Sequence, residues 1–310
     1  MMAKRSGESH PRGIAVHVLP RTERGIGYDA DASQRSRSVS AAAEILLVGF
    51  GNMGQALVRG WLGRGRAASR IVVVDPAPAA RAVADELGVT AAADVGAVTR
   101  VGHDVVVLAV KPNQLAASLP ACARWATAST VFLSIAAGKT IAQLGAGLGG
   151  TAAIVRAMPN TPAAVGHGMT ALVANKAVTM AQRTLCTELL SAVGAVAWVD
   201  DERHIDAVTG VSGSGPAYVF LFIECLERAA VDVGLDPKLA KQLALATVAG
   251  AGAYAAAADA SAAELRRRVT SPNGTTQAAL DVLLAEPGLR ELMTRAVRAA
   301  TERSRELSRA

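Results

Sequence analysis

The stretch EILLVGFGNMG, residues 44–54, decides the fold of the chain. Its four apolar residues at 45–48 lead into Gly49, Gly51 and Gly54, which have the spacing G-x-G-x-x-G. Alone this spacing is a weak signal, but here it follows a predicted strand and precedes a predicted helix. It therefore predicts the first βα unit of a Rossmann domain, with Gly49 in the tight turn, Gly51 beside a pyrophosphate and Gly54 against the sheet.

The cofactor expected in such a domain is NADH or NADPH. The residues predicted to hold its phosphates are Gly49, Phe50, Gly51, Asn52, Met53 and Gly54. Asp75 ends the next apolar run, 26 positions after Gly49, where an acidic residue bonds the adenine ribose. An ordinary helix N-cap explains Asp75 equally well, because Pro76 follows it. Arg81 lies close by and offers a partner for a 2′-phosphate, so the choice of cofactor stays open.

Further short apolar runs follow, each with a loop at its carboxyl end. They are RIVVVDP, DVVVLAVKP, STVFLSIAAG and AAIVRAMPN, and GMTALVAN and AVAWVD extend the series to about Val199. Helical segments are predicted between the earlier runs at 55–63, 77–87, 113–125 and 141–144. This alternation predicts an α/β domain with a parallel sheet covered on both faces.

The second half of the chain reads differently. After Asp201 the strands stop, and helices are predicted at 216–233, 237–258, 262–269, 275–285 and 288–307. Their Ala-rich faces indicate an all-α domain that packs against another copy of itself. We expect a Rossmann domain at 44–200 and a helical substrate and dimerisation domain at 201–310. Residues 1–43 lack periodicity and are expected to form a disordered extension.

Composition excludes several classes of protein. The net charge is +6 over 310 residues, and residues 1–43 hold seven basic and four acidic side chains, which is half of that charge. With only 3% aromatic residues, nucleic-acid binding is a weak reading. No stretch reads as a membrane span or a signal peptide. The three cysteines have no metal or redox spacing, so no metal is expected, and they indicate buried thiols in a reducing, cytoplasmic protein.

Two segments rich in Ser, Thr and Gly open helices in the second half. They are VSGSGPAY at 211–218 and TSPNGTT at 270–276. Surplus N-cap residues are the ordinary explanation, but two such starts in one small domain suit a small carboxylate substrate held by N–H groups and hydroxyls. The predicted substrate-binding residues are Ser212, Ser214, Gly215, Ser271, Asn273, Gly274, Thr275 and Thr276.

Two strand ends are predicted to line the nucleotide, since ligands gather at the carboxyl edge of open α/β sheets. They contribute Ala109, Val110, Lys111 and Pro112 from one strand, and Ala136, Ala137 and Gly138 from the next. Lys111 is a candidate for the cofactor ribose or carboxamide, although a solvated lysine is the simpler reading. No histidine stands out as a general acid, which suits a cyclic iminium substrate whose nitrogen already carries its proton.

With these motifs in hand, the chain resembles the pyrroline-5-carboxylate reductases. The resemblance lies in GFGNMG, AVKP, VRAMPNTP, DAVTGVSGSGPAY and VTSPNGTT, in that order, over residues 44–307. It implies NAD(P)H-dependent reduction of 1-pyrroline-5-carboxylate to L-proline by a homodimer that assembles further, commonly to a decamer. It also implies a substrate carboxylate loop at 271–276, with Thr276 near the imine nitrogen and Glu202 approaching the substrate. Lys111 and Thr276 are accordingly the expected catalytic residues.

The chain departs from the family pattern at two places. The usual Gly-Gly of the last motif is Asn273-Gly274, and Asn tolerates the left-handed conformation that the turn needs. Residues 1–43 have no counterpart.

Two alternatives remain open at this stage. A β-hydroxyacid dehydrogenase or ketopantoate-type reductase would use a helical-domain lysine, but Lys238 and Lys241 lie outside both Ser/Thr-rich segments. A cofactor-binding regulator without catalysis would not need the hydroxyls in both segments.

Overall fold

The computed structural model describes residues 17–18, 42–100 and 102–309, with only the backbone described at 17–18. The chain divides into two compact units. The first comprises residues 1–205 with 307–310, and the second comprises residues 206–306. Most of the extension at 1–43 lies outside the described residues, so its disorder stays a prediction.

The first unit is built on one nine-stranded sheet with the order β1-β9-β8-β7-β6-β5-β2-β3-β4. The strands are β1 His17–Val18, β2 Ile45–Val48, β3 Ile71–Val74, β4 Thr90–Ala92, β5 Val105–Leu108, β6 Val131–Ser134, β7 Ala153–Met158, β8 Gly168–Ala174 and β9 Gly194–Trp198. The α/β architecture is as predicted, but two pairs, β7 with β8 and β1 with β9, are antiparallel. The prediction of a parallel sheet was wrong for β7 and β8, because the nine residues between them are too few for a crossover, and strand β1 was not predicted at all.

Helices cover both faces of this sheet. They are α1 Asn52–Gly63, α2 Pro78–Glu86, α3 Pro112–Cys122, α4 Ile141–Gly147 and α5 Met180–Ser191. Neighbouring strand residues alternate between two apolar clusters, so that Leu47 packs with Trp61 on one face and Leu46 packs with Phe132 on the other. Strand β4 and helix α5 were not predicted, because the first is short and partly exposed and the second has weak apolar periodicity.

The second unit is helical, as predicted. Its helices are α6 His204–Val208, which begins in the first unit, α7 Gly215–Asp232, α8 Pro237–Ala257, α9 Ala262–Arg268, α10 Thr275–Leu284 and α11 Leu289–Arg309, which ends in the first unit. Helices α7 and α10 contain no buried residue, and α8 buries only Ala240 and Ala244. The apolar faces that the sequence predicted are therefore uncovered in the single chain.

The cysteines and the helix lengths complete the description. Cys122 and Cys186 are buried as expected, and burial raises the pKa of the Cys186 thiol to about 12. Cys225 was also predicted to be buried, but it is exposed on the uncovered α7.

Within the described ranges, no single helix has the length and apolarity to cross a bilayer. Only α8 and α9 taken together do, and they are bent by 118°.

Candidate active site

The glycine-rich turn lies where the sheet order reverses, since β2 has β3 on one side and β5 on the other. Gly49 follows β2 with φ +97, and its N–H donates to the Val74 carbonyl at 2.8 Å. A Cβ at Gly49 would lie 2.6 Å from the Ala109 carbonyl carbon and the Val110 nitrogen. Only glycine therefore allows the turn after β2 to pack against the end of β5.

The other two glycines have different surroundings. A Cβ at Gly54 would lie 2.6 Å from the Gly49 carbonyl oxygen, which explains how closely α1 approaches the turn. A Cβ at Gly51 would meet nothing within 4 Å. Gly51 is the N-cap of α1, no side chain caps that helix, and its first turn holds no acidic residue. An anion therefore has both open space and uncapped helix N–H groups at this point.

The remaining residues of the turn differ in their exposure. Phe50 is completely buried, whereas Asn52 is exposed and Met53 is half-buried at the start of α1. The Gln55 side chain donates to the Phe50 carbonyl at 3.2 Å. The predicted phosphate-binding segment is thus a turn with its exposed side at Gly51 and Asn52.

Asp75 joins the turn to the start of α2. Its Oδ2 accepts from the Phe50 N–H at 2.7 Å, and its Oδ1 accepts from the Ala77 N–H at 2.9 Å. Arg81 donates to the carbonyl oxygens of Asp75 and Pro76 at 2.8 and 2.7 Å. The carboxylate is therefore held in place beside the glycine-rich turn, while it also serves the start of the helix.

The end of β5 carries the predicted AVKP segment. Ala109 and Val110 are half-buried against Gly49, and Lys111 and Pro112 are exposed at the start of α3. Among the described residues, no hydrogen bond or ion pair to the Lys111 ammonium is found. Lys111 is thus exposed at the same edge of the sheet as the glycine-rich turn.

A second loop follows β6 at residues 135–140, and it is called the nucleotide loop because the sequence predicted that it lines the nucleotide. Ala136 and Gly138 are buried, Ala137 is exposed, and Gly138 has φ +68. A Cβ at Gly138 would lie 3.1 Å from the Cβ of Leu307, and the Gln143 amide donates to the Ser308 carbonyl at 3.4 Å. The last residues of the first unit therefore pack directly against this loop.

Glu202 also reaches the nucleotide loop. Its Oε1 accepts from the Ile141 N–H at 2.8 Å and from Arg156 Nη1 at 2.7 Å. The Arg156 side chain is only 3% exposed, and the Glu202 side chain is 29% exposed. Sequence reasoning missed Arg156, although a lone arginine inside the apolar run AAIVRAM was a usable signal, because arginine is seldom buried without a specific partner.

The first of the two Ser/Thr-rich segments differs from its prediction. Residues Thr209–Gly213 form one turn of π-helix, and the Ser214 N–H donates to the Thr209 carbonyl at 2.8 Å. Ser212, Ser214 and Gly215 therefore lie in a nearly continuous helical stretch leading into α7. A helix start with Pro216 in its first turn is present as predicted, but the preceding π-turn already uses backbone groups that the sequence pattern left free.

The second segment matches its prediction. The Gly274 N–H donates to the Ser271 carbonyl at 3.0 Å, closing a four-residue turn in which Asn273 has φ +60. Asn273 is the one non-glycine residue with positive φ among the described residues. Asn thus adopts the left-handed conformation expected at this position.

The helix that follows this turn begins without a cap. Gly274 is the N-cap of α10, no side chain caps the helix, and its first turn holds no acidic residue. Ser271, Asn273, Thr275 and Thr276 are exposed, and the three hydroxyls make no hydrogen bond with the described residues. The preceding helix α9 ends in Arg266, Arg267 and Arg268, of which the last two form ion pairs with Glu264. These features together favour binding of a small anion.

In a comparison with known proteins, both parts of the chain match known families. Residues 202–307 match the family described as pyrroline-5-carboxylate reductase dimerisation, and residues 44–138 match the family described as NADP oxidoreductase, coenzyme F420-dependent. The uncovered helices of the second unit thus coincide with a dimerisation region.

Individual relatives agree over most of their length. The chain is 43% identical to the pyrroline-5-carboxylate reductase of Pseudomonas aeruginosa over 265 residues, which are 85% of this chain and 96% of that protein. It superposes on a Coxiella burnetii pyrroline-5-carboxylate reductase with a TM-score of 0.80 and 39% identity, covering 86% and 98% of the two chains. A Plasmodium falciparum pyrroline carboxylate reductase with NADP bound gives 0.76 and 28%, covering 86% and 99%. The chain belongs to the pyrroline-5-carboxylate reductase family.

Proposed function

We propose that this protein reduces 1-pyrroline-5-carboxylate to L-proline, with NADPH or NADH as the reductant. The observation that carries the proposal is the uncapped start of α10, where a sharp turn presents three exposed hydroxyls beside a helix N-terminus. The reductant supplies a hydride to the imine carbon, and the C=N electron pair becomes the lone pair of the product nitrogen. The protein's own residues bind and orient the two molecules.

The nucleotide is assigned to the first unit. We propose that the turn at 49–54 holds the pyrophosphate, because Gly51 leaves open space beside the uncapped α1. Asp75 approaches the adenine ribose, and Lys111 approaches the cofactor ribose or the carboxamide. The segments Ala109, Val110, Pro112 and Ala136, Ala137, Gly138 line the nucleotide from the two neighbouring strand ends.

The substrate is assigned to the second unit. The N–H groups at the start of α10, with Ser271, Asn273, Gly274 and Thr275, hold its carboxylate through helix-end electrostatics. The Thr276 hydroxyl bonds the ring nitrogen as its positive charge disappears during hydride transfer. Ser212, Ser214 and Gly215 support the site from the helical stretch that leads into α7.

Assembly and location follow the family. The dimerisation region indicates a homo-oligomer, and we propose that dimers assemble further to a decamer. We also propose a cytoplasmic location, because Cys122, Cys186 and Cys225 are free thiols, as expected in a reducing compartment.

One assay tests the function. Purified protein is mixed with NADH or NADPH and with pyrroline-5-carboxylate, ketopantoate or a β-hydroxyacid, and nucleotide oxidation or reduction is followed by absorbance. We expect rapid oxidation of the reduced nucleotide with pyrroline-5-carboxylate alone, and formation of proline in equal amount. Turnover of ketopantoate or the hydroxyacid instead would support the alternative dehydrogenases, and nucleotide binding without any turnover would support a regulator.

A further inference from the structure

Arg156 is an unusual residue for its surroundings. It lies inside β7 between Val155 and Ala157, which are buried, and its own side chain is 3% exposed. In the sheet it pairs with Ser134, the last residue of β6 before the nucleotide loop. A buried guanidinium is expensive unless it is paired, and its partner here is Glu202 at 2.7 Å.

The partner carboxylate connects this arginine to the loop. Glu202 Oε1 accepts from Arg156 and also from the Ile141 N–H, the first N–H of helix α4. Ile141 directly follows the nucleotide loop, and the loop begins directly after Ser134. The pair therefore joins the strand beside the loop's first end to the helix at its second end.

A buried ion pair is not required for stability at such a place. Replacement of such a pair by apolar residues of similar volume is often neutral or stabilising. The neighbours of Arg156 along β7 are apolar, so an apolar side chain would suit the strand itself. The charge pair therefore needs an explanation beyond stability, and its contact with Ile141 supplies one.

We propose that Arg156 and Glu202 form a brace that fixes the nucleotide loop, so that Arg156 is a positioning residue for NAD(P)H binding. This inference rests on the proposed function, in which Ala136, Ala137 and Gly138 line the nucleotide. Arg156 acts through Glu202 and the start of α4, and it does not itself need to touch the cofactor. Glu202 then serves the cofactor loop rather than the substrate.

The test measures NADPH affinity directly in the full-length protein, by fluorescence titration without substrate. Arg156→Met and Glu202→Gln should each raise the Kd for NADPH roughly tenfold, as expected for the loss of one charge-assisted hydrogen bond. The double variant should be no weaker than either single variant, because the two side chains act as one element. Arg156→Lys, which keeps the charge, should recover part of the affinity.

Glu44→Gln is the matched control. Glu44 bonds Arg70 at 2.6 Å and Arg100 at 2.5 Å, but it precedes β2 and so lies at the opposite edge of the sheet from the nucleotide loop. We expect this variant to keep the NADPH affinity of the original protein. If Arg156→Met does not fold, Glu202→Gln and Arg156→Lys carry the same comparison.

The outcomes separate the brace from simple stability and from the proposed function. A lowered Tm with unchanged NADPH affinity in Arg156→Met and Glu202→Gln would overturn the brace. With substrate present, the KM for NADPH should rise more than the KM for pyrroline-5-carboxylate. Original protein that binds NADPH but does not reduce pyrroline-5-carboxylate would refute the proposed function, while the titrations would still decide the brace.

Discussion

The two units differ in how far they bury their apolar residues. In the first unit, Leu46 and Leu47 are completely buried on opposite faces of one sheet. In the second unit, α7 buries no residue, and Phe220 is 62% exposed. Both halves are equally rich in apolar residues, so the difference lies in where the covering surface comes from. The first unit supplies its own, whereas the second matches a dimerisation family, so we expect another copy of the chain to cover its helices.

The largest expected effect comes from a charge on the uncovered helices. Phe220→Glu should weaken self-association at least ~100-fold, because a carboxylate would be desolvated in an apolar interface. Sedimentation velocity should show smaller particles, and activity should fall with them. Met180→Glu is the control, since Met180 is 75% exposed on the first unit. Equal particle mass for both variants and the original protein would contradict the comparison.

The next effect distinguishes two glycines of one turn. Gly49→Ala should cost about 2–4 kcal/mol of unfolding free energy, because its Cβ would collide with the end of β5 and its φ is positive. Gly51→Ala should cost less than about 1 kcal/mol, since nothing lies within 4 Å of its Cβ.

A titration with NADPH extends the comparison of Gly49 with Gly51 from stability to nucleotide affinity. Gly51→Ala should still weaken NADPH binding roughly tenfold, because the methyl group would occupy the space proposed for the pyrophosphate. Thermal melting and titration on both variants check the prediction. A stable Gly51→Ala protein with full NADPH affinity would contradict the proposal that the pyrophosphate lies beside Gly51.

Thr276→Val tests the substrate half of the site. Loss of the hydroxyl should lower kcat/KM about 10- to 100-fold, which corresponds to a hydrogen bond of about 1.5–3 kcal/mol to a charged group. NADPH affinity should stay constant. Thr270→Val is the control, because the Thr270 hydroxyl already donates to the Arg266 carbonyl at 2.6 Å. Unchanged turnover with a lowered Tm would make Thr276 a support for the helix start only.

Asp75→Ser tests the choice of reductant. The carboxylate accepts from the Phe50 and Ala77 N–H groups, which hold it beside the glycine-rich turn, where its charge would repel a 2′-phosphate. We expect Asp75 to tilt the original protein toward NADH, and the variant to shift its efficiency roughly tenfold toward NADPH. Steady-state kinetics with both reductants check this. A strong NADPH preference that the substitution leaves unchanged would make Asp75 only a helix-start residue.

The smallest effect concerns acid stability of the first unit. His103 is 1% exposed, and its ring packs against Trp125. Burial lowers its pKa, and the nearby Arg100 adds to this. The folded protein thus resists protonation that the unfolded chain accepts at its ordinary pKa of about 6.5. Stability contributed by neutral His103 is therefore present above that pH and is lost as the pH falls below it.

His103→Phe removes this titration while keeping an aromatic ring against Trp125, whose ring centroid is 5.6 Å away. Melting curves from pH 7.5 to pH 5, values chosen to bracket about 6.5, should show a smaller fall in Tm for the variant. Parallel curves for the two proteins would show that His103 does not contribute to the acid sensitivity.

Much of this arrangement could be read from the sequence, for identifiable reasons. The strands with long Val and Ile runs and the helix beginning at Thr275 were predicted closely, because each has a local pattern with a clear end. The turn at Asn273 was predicted for the same reason, since its conformation depends on neighbouring residues.

The missed features depend on contacts between distant parts of the chain. The bond between Arg156 and Glu202 joins residues 46 positions apart, and the bond between Phe50 and Asp75 spans 25. The π-turn before α7 was missed as well, because Ser and Gly at 212–215 suggest an open helix start in any local reading. Cys225 was predicted to be buried, but the helices of a single chain leave it exposed.

Because helix α7 has no buried residue in a single chain, formation of the mature protein is expected to require the encounter of two chains. A single chain buries the apolar residues of its sheet, but it leaves the apolar residues of α7 exposed until a second chain covers them. The yield of mature protein should therefore rise faster than in proportion to the rate of synthesis when chains are scarce. Until that meeting, the exposed apolar helices are the part of the chain that chaperones and proteases would encounter.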